Sequence, residues 1–180
     1  MLTHFNNSLF QNSKGNLNYL LDYKNTLTCV TWSRLYHNCT PMAFLEQYLY
    51  TKRSQIRDAG LGLFTRIKIP KGVCIVEYKG RLVKWVDIKH EDGYNGYILR
   101  VNRSWAINAK PYKKALGRFA NDARGIHRKE NLKNNAEYLL EGDRCFIYST
   151  REILPNAEIL VSYGSAYWNL AKRIAKSSLK

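Results

Sequence analysis

Acidic side chains are scarce in this chain. Its 180 residues carry 14 Asp and Glu against 29 Lys and Arg, a formal charge of +15. A field of that sign favours an anionic neighbour such as nucleic acid, although a basic surface also serves solubility. Cysteine is scarce too. Cys29, Cys39, Cys74 and Cys145 form no Cys-x-x-Cys pair, so no zinc cluster or other metal site is expected. Their irregular spacing in a chain of this length argues against a disulfide scaffold, and buried or free thiols are expected. No apolar run approaches the ~18 residues that a helical bilayer span needs, so no membrane partner is expected. Met1 to Asn7 lacks a basic stretch leading into an apolar core, so no secretory signal is read there and a soluble intracellular protein is expected. No Gly-x-x-x-x-Gly-Lys phosphate loop is present, nor a strand, glycine-rich loop and helix in dinucleotide-binding order.

What is present fits one domain, for which roughly 100–200 residues is usual. A hydrophobic content of 45% excludes global disorder. Residues 1–41 stand apart, with seven Asn, Asp22 as the one acidic residue, and no clear periodicity. Met42 is a candidate native start, with 1–41 a loose extension or a translated upstream stretch. The other reading is an ordinary extension packed on the domain. A main domain over 42–168 and a basic helix or tail over 169–180 complete the division.

Short β-prone runs dominate the middle. Tyr48–Tyr50, Leu63–Thr65 and Val73–Tyr78 read as strands, with turns at Asp58–Gly62 and Pro70–Gly72. Tyr97–Val101 and Trp105–Ile107 flank Asn102-Arg103-Ser104 as a hairpin. Arg144–Tyr148 and Glu158–Tyr163 read as strands around a turn at Pro155-Asn156. This spacing predicts a mainly β domain with few short helices. A C-terminal helix, capped by Ser165, places Tyr167, Leu170, Ala171 and Ile174 on one face. Lys172, Arg173 and Lys176 fall on the other, and Lys180 extends the basic run.

Four clusters carry candidate chemistry. They are Gly60-x-Gly62, Gly117-Arg118-Phe119-Ala120-Asn121-Asp122, Asn134-Asn135-Ala136, and Glu158 to Gly164 with Tyr167-Trp168. Paired glycines let a backbone approach a ligand. Each cluster alone has an ordinary structural explanation in turns, strand edges or core aromatics.

Taken in order over residues 48–168, the clusters resemble those of SET-domain protein lysine methyltransferases. Gly60 to Phe64 looks like the first cofactor motif. Ile69-Pro70-Lys71-Gly72 leading to Glu77-Tyr78-Lys79-Gly80 matches the strand pair after it. Gly117 to Asp122 with Asn135 is similar to the Arg-Phe-x-Asn-His-Ser…Pro-Asn segment, and Glu158 to Gly164 to Glu-Leu-x-x-x-Tyr-Gly. Asp122 stands where most members have His, Asn108 where many have Asp, and Asn134 where Pro is usual. The zinc-binding clusters that flank the domain elsewhere are missing, which is closer to the compact stand-alone bacterial and viral members.

The resemblance implies small curved sheets, a threaded knot-like C-terminal segment, and S-adenosylmethionine as cofactor. Tyr163 is then the catalytic tyrosine. Leu61 and Gly62 offer backbone to the cofactor, Arg118, Asn121 and Asp122 line its pocket, and Trp168 covers the adenine. Tyr97 lines the lysine channel. Val161 stands where an aromatic restricts methyl number in some members, and its smaller size leaves room for more than one methyl. The implied partner is a protein bearing a target lysine, with nucleic acid as a possible second partner of the basic surface. Glu91, Asp92, Glu137, Glu141 and Asp143 are candidates to line a groove for a basic peptide. The implied location is the cytoplasm for a bacterial type, or a host nucleus for a viral or secreted one.

Three other readings compete. One is a basic nucleic-acid-binding β module whose aromatics stack on bases. Another is a degenerate SET fold that binds cofactor or protein without catalysis. A nucleophile pair of Cys145 and His127 is formally available.

Overall fold

The computed structural model describes residues 19–21, 27–29, 45–125 and 127–177. The first two stretches form a short antiparallel pair, β1 (Tyr19–Leu21) with β2 (Leu27–Cys29). The proposed start at Met42, most of residues 1–41 and Lys180 lie outside the described residues.

Three small antiparallel sheets make the domain. β4 (Leu61–Thr65) sits between β3 (Leu49–Arg53) and β11 (Glu158–Ile159). β10 (Arg144–Ser149) sits between β5 (Cys74–Glu77) and β9 (Ala136–Glu141). β8 (Trp105–Asn108) sits between β6 (Arg81–Lys84) and β7 (Ile98–Arg100). The mainly β expectation holds, and the expected hairpin is β7–β8, with Leu99 opposite Ile107. Among the described residues the helices include α1 (Trp85–Ile88) and the C-terminal α2 (Gly164–Ser177).

Burial explains which strands the sequence showed. In β4, Leu63, Phe64 and Thr65 are all buried, as are Cys145, Phe146 and Ile147 in β10. Both are central strands covered on two faces, so they read as apolar runs rather than alternations. Edge strands β3 and β9 bury their first residue and expose most of the rest, and β9 escaped the sequence reading. The main core gathers Leu63, Ile69, Ile75, Ile147, Ile153, Ile159 and Val161, each contributing about 2 kcal/mol on burial. Tyr78, Ile107, Ala109 and Cys145 form a second cluster. Cys74 corrects the thiol expectation, because it is disulfide-bonded. Cys145 is a free, buried thiol.

Segment 158–163 sets the topology. After β11 pairs with β4, Leu160 makes a parallel bridge to Asn121. The Val161 N–H donates to the Asn121 carbonyl, and the N–H groups of Asn135 and Ala136 donate to the Leu160 carbonyl. Asn135 donates from Nδ2 to the Glu158 carbonyl and accepts the Leu160 N–H at Oδ1. The segment is thus bonded on both flanks, as a threaded chain must be. This is why only two residues of the expected strand Glu158–Tyr163 pair in a ladder.

Candidate active site

The turn before β4 holds Asp58 and Gly60 at positive φ, 62° and 69°. It presents Gly60 and Leu61 to a cleft of about 560 Å³. The facing wall is the 3-10 turn Leu116–Phe119 and the residues after it. Gly117 is required there, because a Cβ would lie 2.6 Å from the Glu77 carbonyl oxygen. Its absence lets the turn dock on β5 and carries Arg118 into the cleft wall.

Arg118 donates from Nη1 to the carbonyls of Ala109 and Lys110 at 3.1 and 3.0 Å. Its guanidinium lies 3.7 Å from the Tyr97 ring centroid. Its Nε is buried and has no hydrogen-bond partner. An unpaired buried donor is costly, and an anionic ligand group in the cleft would satisfy it. Asn121 donates from Nδ2 to the Leu61 carbonyl at 3.0 Å and to Glu158 Oε1 at 3.3 Å. At the rim, Arg57 contacts His127 at 3.2 Å and pairs with Asp58.

Tyr163 closes the inner end of the cleft. Its hydroxyl donates to the Ala120 carbonyl at 2.9 Å, and its N–H donates to the buried Asp122 carboxylate at 2.7 Å. Its ring stacks on Trp168 and meets Tyr167 edge-on, with centroids 5.9 and 5.1 Å apart. Beyond it lies a second cavity of about 270 Å³, walled by Tyr78, Trp85, Tyr138 and Leu170 and including Asp92. Gly96, Tyr163 and Tyr167 belong to both cavities.

Burial pushes the phenols of Tyr78, Tyr138, Tyr163 and Tyr167 above their usual range, and the Cys145 thiol up to about 12. The folded state therefore keeps these groups neutral where the unfolded chain ionises them. Their stabilisation is fully present below pH about 9 for the thiol and about 10 for the phenols, and is lost progressively above, by about 1.4 kcal/mol per pH unit for each fully buried phenol. We expect denaturant midpoints to hold from pH 7 to 9 and to fall steeply from pH 10 to 11.5. A flat profile to pH 11.5 would contradict the buried tyrosine cluster.

The expected site residues divide as follows. Leu61, Arg118, Asn121, Asp122, Tyr163 and Trp168 all line the larger cleft. Gly62 instead faces the Glu158 carboxylate, to which an added Cβ would come within 2.1 Å. Tyr97 lines the larger cleft, under Arg118, and not the smaller cavity. Val161 is 0% exposed and packs in the main core, away from both cavities. Tyr78 and Tyr138 line the smaller cavity, which Val161 does not reach. Tyr78 was legible within the Glu77-Tyr78-Lys79-Gly80 segment, whereas no sequence signal singled out Tyr138. Asp92 reaches the smaller cavity, whereas Glu91 is bonded to Asn95 and Glu141 to Tyr148. Cys145 is buried in the second cluster and His127 is on the cleft rim, so the structure does not pair them as nucleophile and base. Among the described residues, no group of three or more His, Cys, Asp and Glu is placed to hold a metal. None of the described helices is long and apolar enough to cross a membrane.

Comparison with known proteins agrees with this geometry. A family model described as SET domain matches residues 60–164. The chain is 29% identical over 119 residues to histone-lysine N-methyltransferase set-17 of Caenorhabditis elegans. It is 28% identical over 133 residues to histone-lysine N-methyltransferase ASHH1 of Arabidopsis thaliana. These matches cover 66% and 70% of this chain, but only 41% and 26% of those relatives.

Proposed function

The chain belongs to the SET-domain family, and from that premise we propose that it transfers a methyl group from S-adenosylmethionine to a protein lysine. One observation carries the reading. Two cavities of unequal size meet at Tyr163 and Tyr167, as a donor pocket and an acceptor channel must. The larger has the volume of a typical small-molecule site. Its orphaned Arg118 Nε fits a carboxylate, Trp168 offers a flat aromatic face, and Gly60 and Leu61 offer backbone. When bound, the cofactor supplies an electrophilic methyl on a sulfonium.

The protein's share is placement and desolvation. The smaller cavity's aromatic walls disfavour an ammonium's hydration, which lowers the pKa of an inserted lysine, while ring faces hold its stem. Tyr163 remains a neutral phenol because burial raises its pKa, so it orients charge and does not serve as the base. Its proton is committed to the Ala120 carbonyl, which leaves its lone pairs to face positive charge. In the larger cleft, Arg118 holds an anionic group at one end. These placements align donor and acceptor, the source of much of the acceleration.

We expect S-adenosylmethionine to bind with calorimetric heat and to raise the melting temperature, since a ligand of the folded state must stabilise it. Mass spectrometry should then show increments of about 14 Da, one methyl replacing one hydrogen, on lysines of basic acceptor proteins. No heat and no melting shift at saturating cofactor would sink the proposal.

The acceptor we propose is a basic protein bound to nucleic acid. Asp92 in the smaller cavity suits a basic segment. On α2, Lys172, Arg173 and Lys176 are exposed on the face opposite Leu170 and Ile174. A DNA-bound acceptor should be methylated faster than its isolated peptide, and the advantage should shrink as salt rises. If the advantage survives neutralisation of those three residues, the helix has no such role.

A further inference from the structure

Resting on that reading, we propose that Asp122 is a positioning residue, a four-pronged anchor that fixes the wall shared by the two cavities. Asp122 is 3% exposed. Its Oδ2 accepts the Tyr163 N–H at 2.7 Å and the Trp168 indole N–H at 2.8 Å. Its Oδ1 accepts the Arg124 N–H at 2.8 Å and Asn134 Nδ2 at 2.9 Å. Asn134 in turn accepts the Ala123 N–H at 2.8 Å.

Two of the three departures from the SET pattern are therefore bonded to each other. Asp122 stands at the usual His position and Asn134 at the usual Pro position, and each supplies what the other needs. A histidine offers at most one acceptor nitrogen and cannot receive four donors. A proline at 134 has no side-chain donor for Oδ1. The carboxylate and the amide together make a different joint.

The joint's purpose follows from what it holds. α2 has no buried residue, and Gly164 at its start sits at φ 84°. Its first turn is held by ring contacts of Tyr167 and Trp168 with Tyr163 and by the Asp122 carboxylate. The carboxylate acts from inside the protein, gripping the backbone of the catalytic tyrosine and the indole five residues later. Trp168 then lies against Gly125, where a Cβ would come within 2.9 Å of its ring, and stacks on Tyr163. A hydrogen bond to a charged acceptor is among the stronger ones. The residue that stands at the family's usual His position acts as the mount for both the cover of the donor cleft and Tyr163.

The test begins without cofactor. In the ¹⁵N-labelled protein, the Trp168 indole resonance, identified by its loss in Trp168→Phe, should be protected from solvent exchange. Asp122→Asn keeps the shape but leaves one oxygen for two pairs of donors. It should speed that exchange at least about tenfold, the scale set by one charge-assisted bond. With S-adenosylmethionine present, its KM should rise about tenfold, and kcat should fall as the Tyr163 backbone loosens. An indole that exchanges equally fast in both proteins, or a cofactor KM unchanged by the variant, overturns the proposal. Should Asp122→Asn fail to fold, Asn134→Ala decides. It removes one donor to Oδ1 from a residue that lines neither cavity and leaves the indole in place, so indole exchange should still rise several-fold. An indole exchange rate unchanged there overturns the anchor. If the unmodified chain binds no S-adenosylmethionine, the functional reading falls, while the indole measurement still judges the anchor.

Discussion

Tyr163→Phe is expected to keep the fold and most cofactor affinity while methyl transfer falls about 10²–10³-fold, the usual cost of removing one preorganised dipole from a reaction centre. The substitution deletes one hydroxyl and almost no volume. The ring keeps its stack on Trp168 and its edge contact with Tyr167. The lost bond to the Ala120 carbonyl costs about 1 kcal/mol, a fall of roughly 3 °C in melting temperature for a chain of this size. What disappears is the hydroxyl of a residue that lines both cavities. Calorimetry with S-adenosylmethionine and single-turnover transfer to a lysine peptide separate binding from chemistry. Turnover at the unmodified rate would remove Tyr163 from the catalytic role and leave family membership untouched.

The tyrosine was legible before the fold through the SET resemblance of its segment, and the structure supplies local reasons for the residues that carried that resemblance. Glu158 and Gly164 bracket it, and each has a local physical reason: a buried carboxylate with fixed donors, and a positive φ. Gly117, Asn121 and Asn135 were legible for the same kind of reason. A glycine where backbones touch, and asparagines that satisfy peptide groups of a threaded segment, leave few alternatives. Side-chain direction was not legible in the same way. Val161 was expected at the acceptor channel and instead fills the core. Segment 158–163 leaves its ladder after Ile159, so the alternation of a strand no longer says which side a residue faces. Tyr97 turned toward Arg118 through a cation–π contact that no periodicity encodes. Tyr138 was missed because β9 is an edge strand of mostly exposed residues, among which one inward tyrosine leaves no pattern.

Gly60-x-Gly62 shows how a correctly located motif can hide two jobs, and it supports the second large effect. Gly60 takes a positive φ in open space, which is the turn's demand. Gly62 takes no such φ. It is small because Glu158 lies beside it, with Oε1 2.1 Å from where a Cβ would stand. Glu158 is 2% exposed and accepts Ser54 Oγ at 2.6 Å, the Gln55 N–H at 2.8 Å and Asn121 Nδ2 at 3.3 Å. One carboxylate thus ties the chain leaving β3 and the asparagine of the larger cleft to β11. Gly62→Ala must push it off these donors, and we expect a loss of about 3 kcal/mol from overpacking and unpaired groups together. Glu158→Ala strands the same donors and should cost a similar ~3 kcal/mol. The two costs share one cause. The double variant removes the obstacle that Gly62→Ala meets, leaving only a tight 3.2 Å approach to the Phe64 ring. Its loss should therefore fall about 2 kcal/mol short of the sum, as contacting sites do. Urea midpoints for the four proteins, at constant m-value, measure that coupling. Simple additivity would mean that Gly62 is small for a reason other than Glu158, and would return it to the cofactor role its motif first implied.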